Sequence, residues 1–198
     1  MDAPAAERLG RHYYVDEAGD PVLFGRRRTV VLGREGCSRY FTLGVLDVAD
    51  PSRLASQLAG LRKRLLCDPY FADVPSMQPQ AGKTALAFHA KDDLPEVRRE
   101  VFRLLLRSEV RFFACVRDKR RVLEYVRERE AHDAQYRYTP NELYDWMIRR
   151  LFKTLLHKDE WYLTTFAARG HPGRRRIARA VSMLAGDGLL PVGPAAVV

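Results

Sequence analysis

Short apolar runs of strand length alternate along this chain with longer stretches whose apolar residues recur every three or four positions. Residues 13–15 are aromatic and β-branched, and Gly19, Asp20 and Pro21 stop that run, so a first strand should end in a glycine turn. Residues 29–32 and Tyr40–Val48 read as two further strands, separated by turn material over 33–38, a spacing suited to antiparallel neighbours. Asp50 offers a helix N-cap with Pro51 at the first helical position, and Leu54, Leu58, Leu61 and Leu65 follow at helical spacing. Residues 67–82 hold three prolines among mixed polar residues and predict a surface loop. Val97, Val101, Leu104 and Leu105 mark a second helix, entered through Asp93, Leu94 and Pro95.

Residues 110–116 show almost no polar alternation, which predicts a central strand covered on both faces. Asp118 and Lys119 close it, and a charged helical stretch runs on to about Glu130. Thr139, Pro140 and Glu142 have capping-box spacing before a helix carrying Leu143, Met147, Leu151 and Leu155. Residues 161–168 form a last strand candidate and 174–184 a last, arginine-rich helix. Strands first, then helices alternating with two strands, predict an α/β domain. Its sheet should be mixed and five-stranded, three antiparallel strands extended by two parallel ones through crossover helices that cover its faces. At 198 residues and 46% hydrophobic, one domain over 1–198 is the expected organisation.

Charge adds a partner class. With 34 Lys and Arg against 25 Asp and Glu, the chain carries +9 and favours polyanions, nucleic acid first. The excess gathers in short clusters, from which Arg26, Arg27, Arg28, Arg120, Arg121, Arg174 and Arg175 are the candidate phosphate contacts, since the planar guanidinium donates two parallel hydrogen bonds. The plainer reading of such runs is a solvated face. Cys37, Cys67 and Cys115 stand far apart, which predicts neither a zinc site nor a disulfide framework and fits a reducing cytoplasm. The N-terminus has no apolar signal core, and no apolar run approaches the roughly 18 residues that span a bilayer. A cytoplasmic protein without membrane contact is expected.

The densest candidate chemistry lies in Asp16, Glu17 and Asp20, where three carboxylates run through the end of a strand into its turn. Because strand side chains alternate faces, Asp16 and Glu17 cannot both enter one site, and Asp16 is the chosen working group. The plainer alternative is that Asp16 and Asp20 cap the turn. If strand 110–116 lies parallel beside the first, Asp16 and Asp118 reach neighbouring carboxyl ends about 4.8 Å apart and could share a divalent cation. His89 could act as an acid or bind phosphate or metal, although a hydrogen-bonding role near a helix start is more ordinary. Lys119 either orients a scissile phosphate or is a solvated neighbour of Asp118. Tyr136, Tyr138, Tyr144 and Trp146 could stack bases, with Tyr144 assigned to the core.

The first-strand motif Tyr13-Tyr14-Val15-Asp16-Glu17-Ala18-Gly19-Asp20 is joined by Phe88-His89-Ala90-Lys91-Asp92 before a helix, by Asp118-Lys119 after a buried strand, by Thr139-Pro140, and by a late strand ending Phe166-Ala167-Ala168-Arg169-Gly170. In this order they resemble the family known as domain of unknown function 3800, which is similar to the ribonuclease H-like superfamily. The resemblance implies that superfamily's mixed sheet and a nuclease-like scaffold, with Mg²⁺ or Mn²⁺ held by carboxylates. Asp16 matches the first-strand ligand and Asp118 is the nearest match to the fourth-strand one. By that resemblance two metals would activate water for phosphodiester cleavage, and Glu17, His89 and Lys119 stand beside Asp16 and Asp118 as catalytic candidates on their own residue chemistry. Two positions depart from the family pattern. Ala87 stands where relatives often carry an acid close to the His, and after Leu184 the chain shows no counterpart of the family's acidic C-terminal helix, Asp187 being isolated between glycines, so the domain reads as truncated after about 185. The second implied reading is therefore a degenerate relative, a non-catalytic nucleic-acid-binding or protein-interaction subunit in a defence or toxin-antitoxin setting.

Overall fold

The computed structural model describes residues 11–155 and 162–167. The predicted helix over 174–184, with Arg174 and Arg175, and the tail containing Asp187 lie outside them. The elements are β1 (Arg11–Ala18), β2 (Tyr40–Val48), α1 (Pro51–Leu66), α2 (Pro95–Leu106), β3 (Val110–Asp118), α3 (Lys119–His132), α4 (Pro140–Phe152) and β4 (Tyr162–Phe166). They fall into two compact units, Val48–Val110 forming one and the chain on either side of it the other.

The first unit is built on a mixed sheet of four described strands in the order β3-β2-β1-β4. β4 runs parallel to β1, with Arg11 opposite Tyr162 and Val15 opposite Phe166. β2 turns back along β1, since Gly19 lies against Tyr40 and Gly44 against Asp16. β3 turns back along β2 in the same way: Lys119 N–H donates to Arg39 O at 2.9 Å at one end, and Arg111 bonds Asp47 at the other. Asp47 ties three strands together, accepting on Oδ2 from Arg11 of β1 at 3.0 Å and from Arg111 of β3 at 3.0 and 2.5 Å.

Alternation decides which face is buried. Tyr13 and Val15, Phe41, Leu43 and Val45, and Phe166 point to one side, where Leu143, Met147, Ile148, Leu151 and Phe152 of α4 close over them. Each such side chain contributes about 1.5–3 kcal/mol when fully buried, so this layer is the main stabilising contact of the unit. Tyr13 carries a polar group into it and satisfies that group by donating its hydroxyl to Leu155 O at 3.1 Å. Tyr14 and Asp16 point to the opposite side and are exposed.

Three expectations are corrected. Residues 29–32 are not a strand: only Val30 bridges, to Phe24, because Arg27 and Arg28 adopt left-handed φ of 52° and 58° and fold this segment into a small hairpin. The described sheet accordingly has four strands rather than five. Among the described strands, β3 lies at an edge of the sheet instead of at its centre. Its apolar run splits between Phe113 and Cys115, packed on the core, and Phe112 and Val116, which are 69% and 55% exposed. Phe112 compensates by laying its ring against the bare backbone of Gly44. Finally, β3 does not lie beside β1, because β2 stands between them and β4 holds the parallel place.

The second unit packs α1 on α2 through Leu61, Leu65 and Val97. The predicted loop over 67–82 coils into three single turns, Pro69–Phe71, Pro75–Met77 and Pro79–Ala81, each started by its proline, and it buries Phe71 and Met77 in the same cluster. Asp50 caps α1 as expected, accepting from Arg53 N–H at 2.9 Å. Among the described residues no helix is long and apolar enough to cross a membrane.

The turn after β1 depends on Gly19, at φ 80°, where a Cβ would sit 2.6 Å from both Tyr40 O and Ser38 Oγ. Gly33 has a similar φ of 85° with open space around it. Gly19→Ala should therefore cost more than the ~1–2 kcal/mol of left-handed strain, and Gly33→Ala about that strain alone. Urea denaturation of both variants checks this, and equal losses would show that the close approach at Gly19 is relieved.

Candidate functional site

Asp16 sits on the open face of the sheet near the end of β1, in a shallow depression of about 470 Å³ with Tyr14, Thr42, Gly44, Phe112 and Thr165 on its walls. Its Oδ1 accepts from the N–H of Glu17 at 2.8 Å, the local turn bond that acidic residues favour. Glu17, next along the strand, is half-buried. Across the parallel neighbour, Val15 faces Phe166 and its carbonyl accepts from Ala167 N–H at 2.9 Å. Among its described residues, β4 therefore brings a threonine, Thr165, and no carboxylate to the face that carries Asp16.

Asp118 ends β3 as the N-cap of α3. Its Oδ1 accepts from Arg120 N–H at 3.0 Å, and its Oδ2 accepts from Arg39 Nε and Nη2 at 3.0 and 2.7 Å. The Arg39 hydrogen bond, then the Arg120 N–H, hold its carboxyl below the ordinary carboxylate value. With β2 between their strands, Asp16 and Asp118 are not at neighbouring strand ends, which corrects the geometry expected for a shared cation.

Lys119 faces inward rather than towards a ligand. It is fully buried, and its Nζ donates to Val22 O at 3.2 Å, Cys37 Sγ at 3.3 Å and Asp20 Oδ1 at 3.4 Å. His89 belongs to the second unit, where its N–H donates to Asp93 Oδ2 at 2.8 Å and its exposed ring approaches Asp92 at 3.3 Å. Asp93 also accepts from Thr84 at 2.7 Å, so this cluster pins the entry to α2.

A divalent cation needs several converging oxygens. Among the described residues, the open face at Asp16 brings threonines and no second carboxylate from β2 or β4, and Asp118 is already bonded by a guanidinium and a main-chain N–H. These donors, among the described residues, do not by themselves make up an Mg²⁺ or Mn²⁺ site. Among the described residues no three His, Cys, Asp or Glu side chains converge.

What does converge is arginine and aromatic surface. Between the end of β3, α3 and α4 lies a groove of about 750 Å³, lined by Arg39, Tyr40, Arg117, Arg121, Tyr125 and Trp146. Arg117 stacks over Trp146 at 3.9 Å to the ring centroid, and Arg39 over Tyr40 at 5.0 Å. Trp146 nevertheless stays 41% exposed. Beside the groove Arg129 covers Tyr136 at 3.9 Å and bonds Glu142 Oε1 at 3.0 Å, while Tyr136 donates to Glu142 Oε2 at 2.8 Å. Glu142 is thus engaged by these two groups, and Thr139 makes no side-chain cap bond, so the predicted capping box does not form.

Of the predicted phosphate contacts, Arg121 lines this groove and Arg120 is exposed beside it on α3. Arg26, Arg27 and Arg28 form a single turn elsewhere on the unit, with Arg28 bonded to Glu130 and stacked on Phe24 at 4.8 Å. Tyr144 is in the core as assigned. Sequence reasoning missed Arg39, Tyr40 and Tyr125. The signal available was Arg121, Tyr125 and Arg129 at four-residue spacing, which puts an arginine-aromatic stripe along one side of α3.

No protein-family model matches this chain, and no curated protein matches it.

The groove wall has a titration consequence. Burial first, then Glu142, push the Tyr138 phenol above its ordinary value, and Tyr138 donates its hydroxyl to Pro21 O at 2.6 Å. A raised folded-state value stabilises fully below the unfolded value of about 10 and fades as pH rises beyond it. Alkaline unfolding followed by near-ultraviolet circular dichroism should begin above pH about 10, and Tyr138→Phe should flatten that decline while lowering neutral-pH stability by the lost hydrogen bond, about 1 kcal/mol.

Proposed function

We propose that this protein binds single-stranded nucleic acid in the groove between β3, α3 and α4, without needing catalysis. The observation that carries the reading is the Arg117 guanidinium stacked on a Trp146 ring that remains 41% exposed, inside a groove lined by further arginines and tyrosines. Base faces are sequestered in a duplex and open in a single strand, so exposed rings favour the latter. Guanidinium groups beside those rings supply phosphate contacts. The groove volume of about 750 Å³ lies within the range of roughly 300–1,000 Å³ typical of pockets that take a small organic group, enough for a base to enter. The chain's charge of +9 supports the same partner.

The nuclease reading implied by the family resemblance assigns a different centre, Asp16. It shares the substrate class and differs in needing Mg²⁺ or Mn²⁺ and strand cleavage, so one titration separates the two.

Fluorescence anisotropy with a short labelled single strand should show tighter binding than with the corresponding duplex, and affinity that falls steeply with salt. Trp146→Ala should weaken binding by the worth of one stacked base, about 1–3 kcal/mol, and Arg121→Ala should reduce the salt slope by about 1. Asp16→Ala and removal of divalent cations should leave affinity unchanged. Binding indifferent to Trp146→Ala would sink the groove reading, and Mn²⁺-dependent cleavage lost in Asp16→Ala would replace it with the enzyme.

A further inference from the structure

The acceptors around Lys119 are an odd set. A buried ammonium needs its charge balanced and its three donors used, and oxygen acceptors serve that purpose well. Val22 O and Asp20 Oδ1 do so at 3.2 and 3.4 Å, yet the third partner is Cys37 Sγ at 3.3 Å. Thiol sulfur is a weak acceptor, so as a purely structural partner it is inferior to a hydroxyl of similar size. Its distinctive property is oxidation. Cys37 is half-buried as a residue, whereas the Lys119 side chain in contact with its sulfur has no exposure at all.

We infer that Cys37 and Lys119 form a reversible oxidative crosslink, a nitrogen–oxygen–sulfur bridge made with hydrogen peroxide as the oxidant. One peroxide oxidises the thiol: its O–O bond breaks, sulfur takes one oxygen to become a sulfenic acid, and one water leaves. Lys119 then passes an ammonium proton to the nearby Asp20 carboxylate. A second peroxide accepts the two electrons released as the lysine nitrogen bonds the sulfenic oxygen, and two waters leave. In sum, R–SH, R′–NH2 and two H2O2 give R–S–O–NH–R′ and three H2O. Thiol reductants return the free cysteine and lysine. Two short segments would thereby be joined covalently, the loop over 33–38 and the start of α3. The Arg39–Asp118 pair lies immediately next to both in sequence, and Lys119 N–H already holds Arg39 O at 2.9 Å. The inference does not depend on nucleic-acid binding.

Mass spectrometry of the whole protein, treated with hydrogen peroxide and digested with trypsin, tests this. Trypsin should release residues 35–39 joined to residues 118–120, with cleavage after Lys119 lost and a mass higher by one oxygen and lower by two hydrogens. Dithiothreitol should restore both separate peptides. Cys37→Ser, which keeps a hydrogen-bond acceptor at the site, should remain folded by circular dichroism and lose the joined peptide entirely. Cys67 and Cys115 report indiscriminate oxidation in the same sample. Cys37 oxidised without attachment to Lys119, or Cys37 left reduced while Cys67 is oxidised, would overturn the inference.

Discussion

The polar organisation of the first unit centres on one buried ammonium. Lys119 has no access to water, and an uncompensated charge in that position would be costly, so the chain around it must present acceptors. Those acceptors come from the turn after β1, through Asp20 and Val22, and from the loop before β2, through Cys37. Three segments remote in sequence are thereby brought to one point. Because Lys119 opens α3, this clamp also sets where the helix begins, and with it the position of Asp118 as N-cap and of Arg117 at the rim of the groove. The same residue that reads in sequence as a solvated or phosphate-facing lysine is thus an internal anchor beside the groove.

Element by element, much of this architecture is legible in the residues. The helix that starts at Asp50 and Pro51, the helix behind Leu94 and Pro95, the strand Tyr40–Val48 and the apolar stripe of α4 all follow from local periodicity and punctuation. Local rules act over a few residues, and these features are local. The neighbour order of the strands is not: nothing in residues 110–116 says whether they pair with β1 or β2, yet that choice separates Asp16 from Asp118. Likewise nothing in Arg27 or Arg28 announces a left-handed backbone, since arginine gains nothing from it locally, and the predicted strand at 29–32 fails for that reason.

The candidate site shows the same division. Trp146 and Arg121 stand out as residue types, whereas their convergence requires α3 and α4 to flank the end of β3. Acidic residues mislead in the other direction. Asp118, next to a lysine at the end of an apolar strand, has the look of a metal ligand, but the bonds it makes are those of a helix cap and an arginine partner. An aspartate at a strand-to-helix junction serves either purpose, and only the identity of what surrounds it separates them.

Phe112 illustrates how exposure can misstate a side chain's work. Its outer surface meets solvent while its ring edge rests where a Cβ at Gly44 would lie, 3.0 Å away. A strand residue with no side chain leaves its peptide groups open to water, and the ring acts as a roof over that gap. A small residue in one strand is thus answered by an aromatic reaching over from the next. The solvent-facing ring accordingly covers a stretch of β2 that the missing side chain leaves bare.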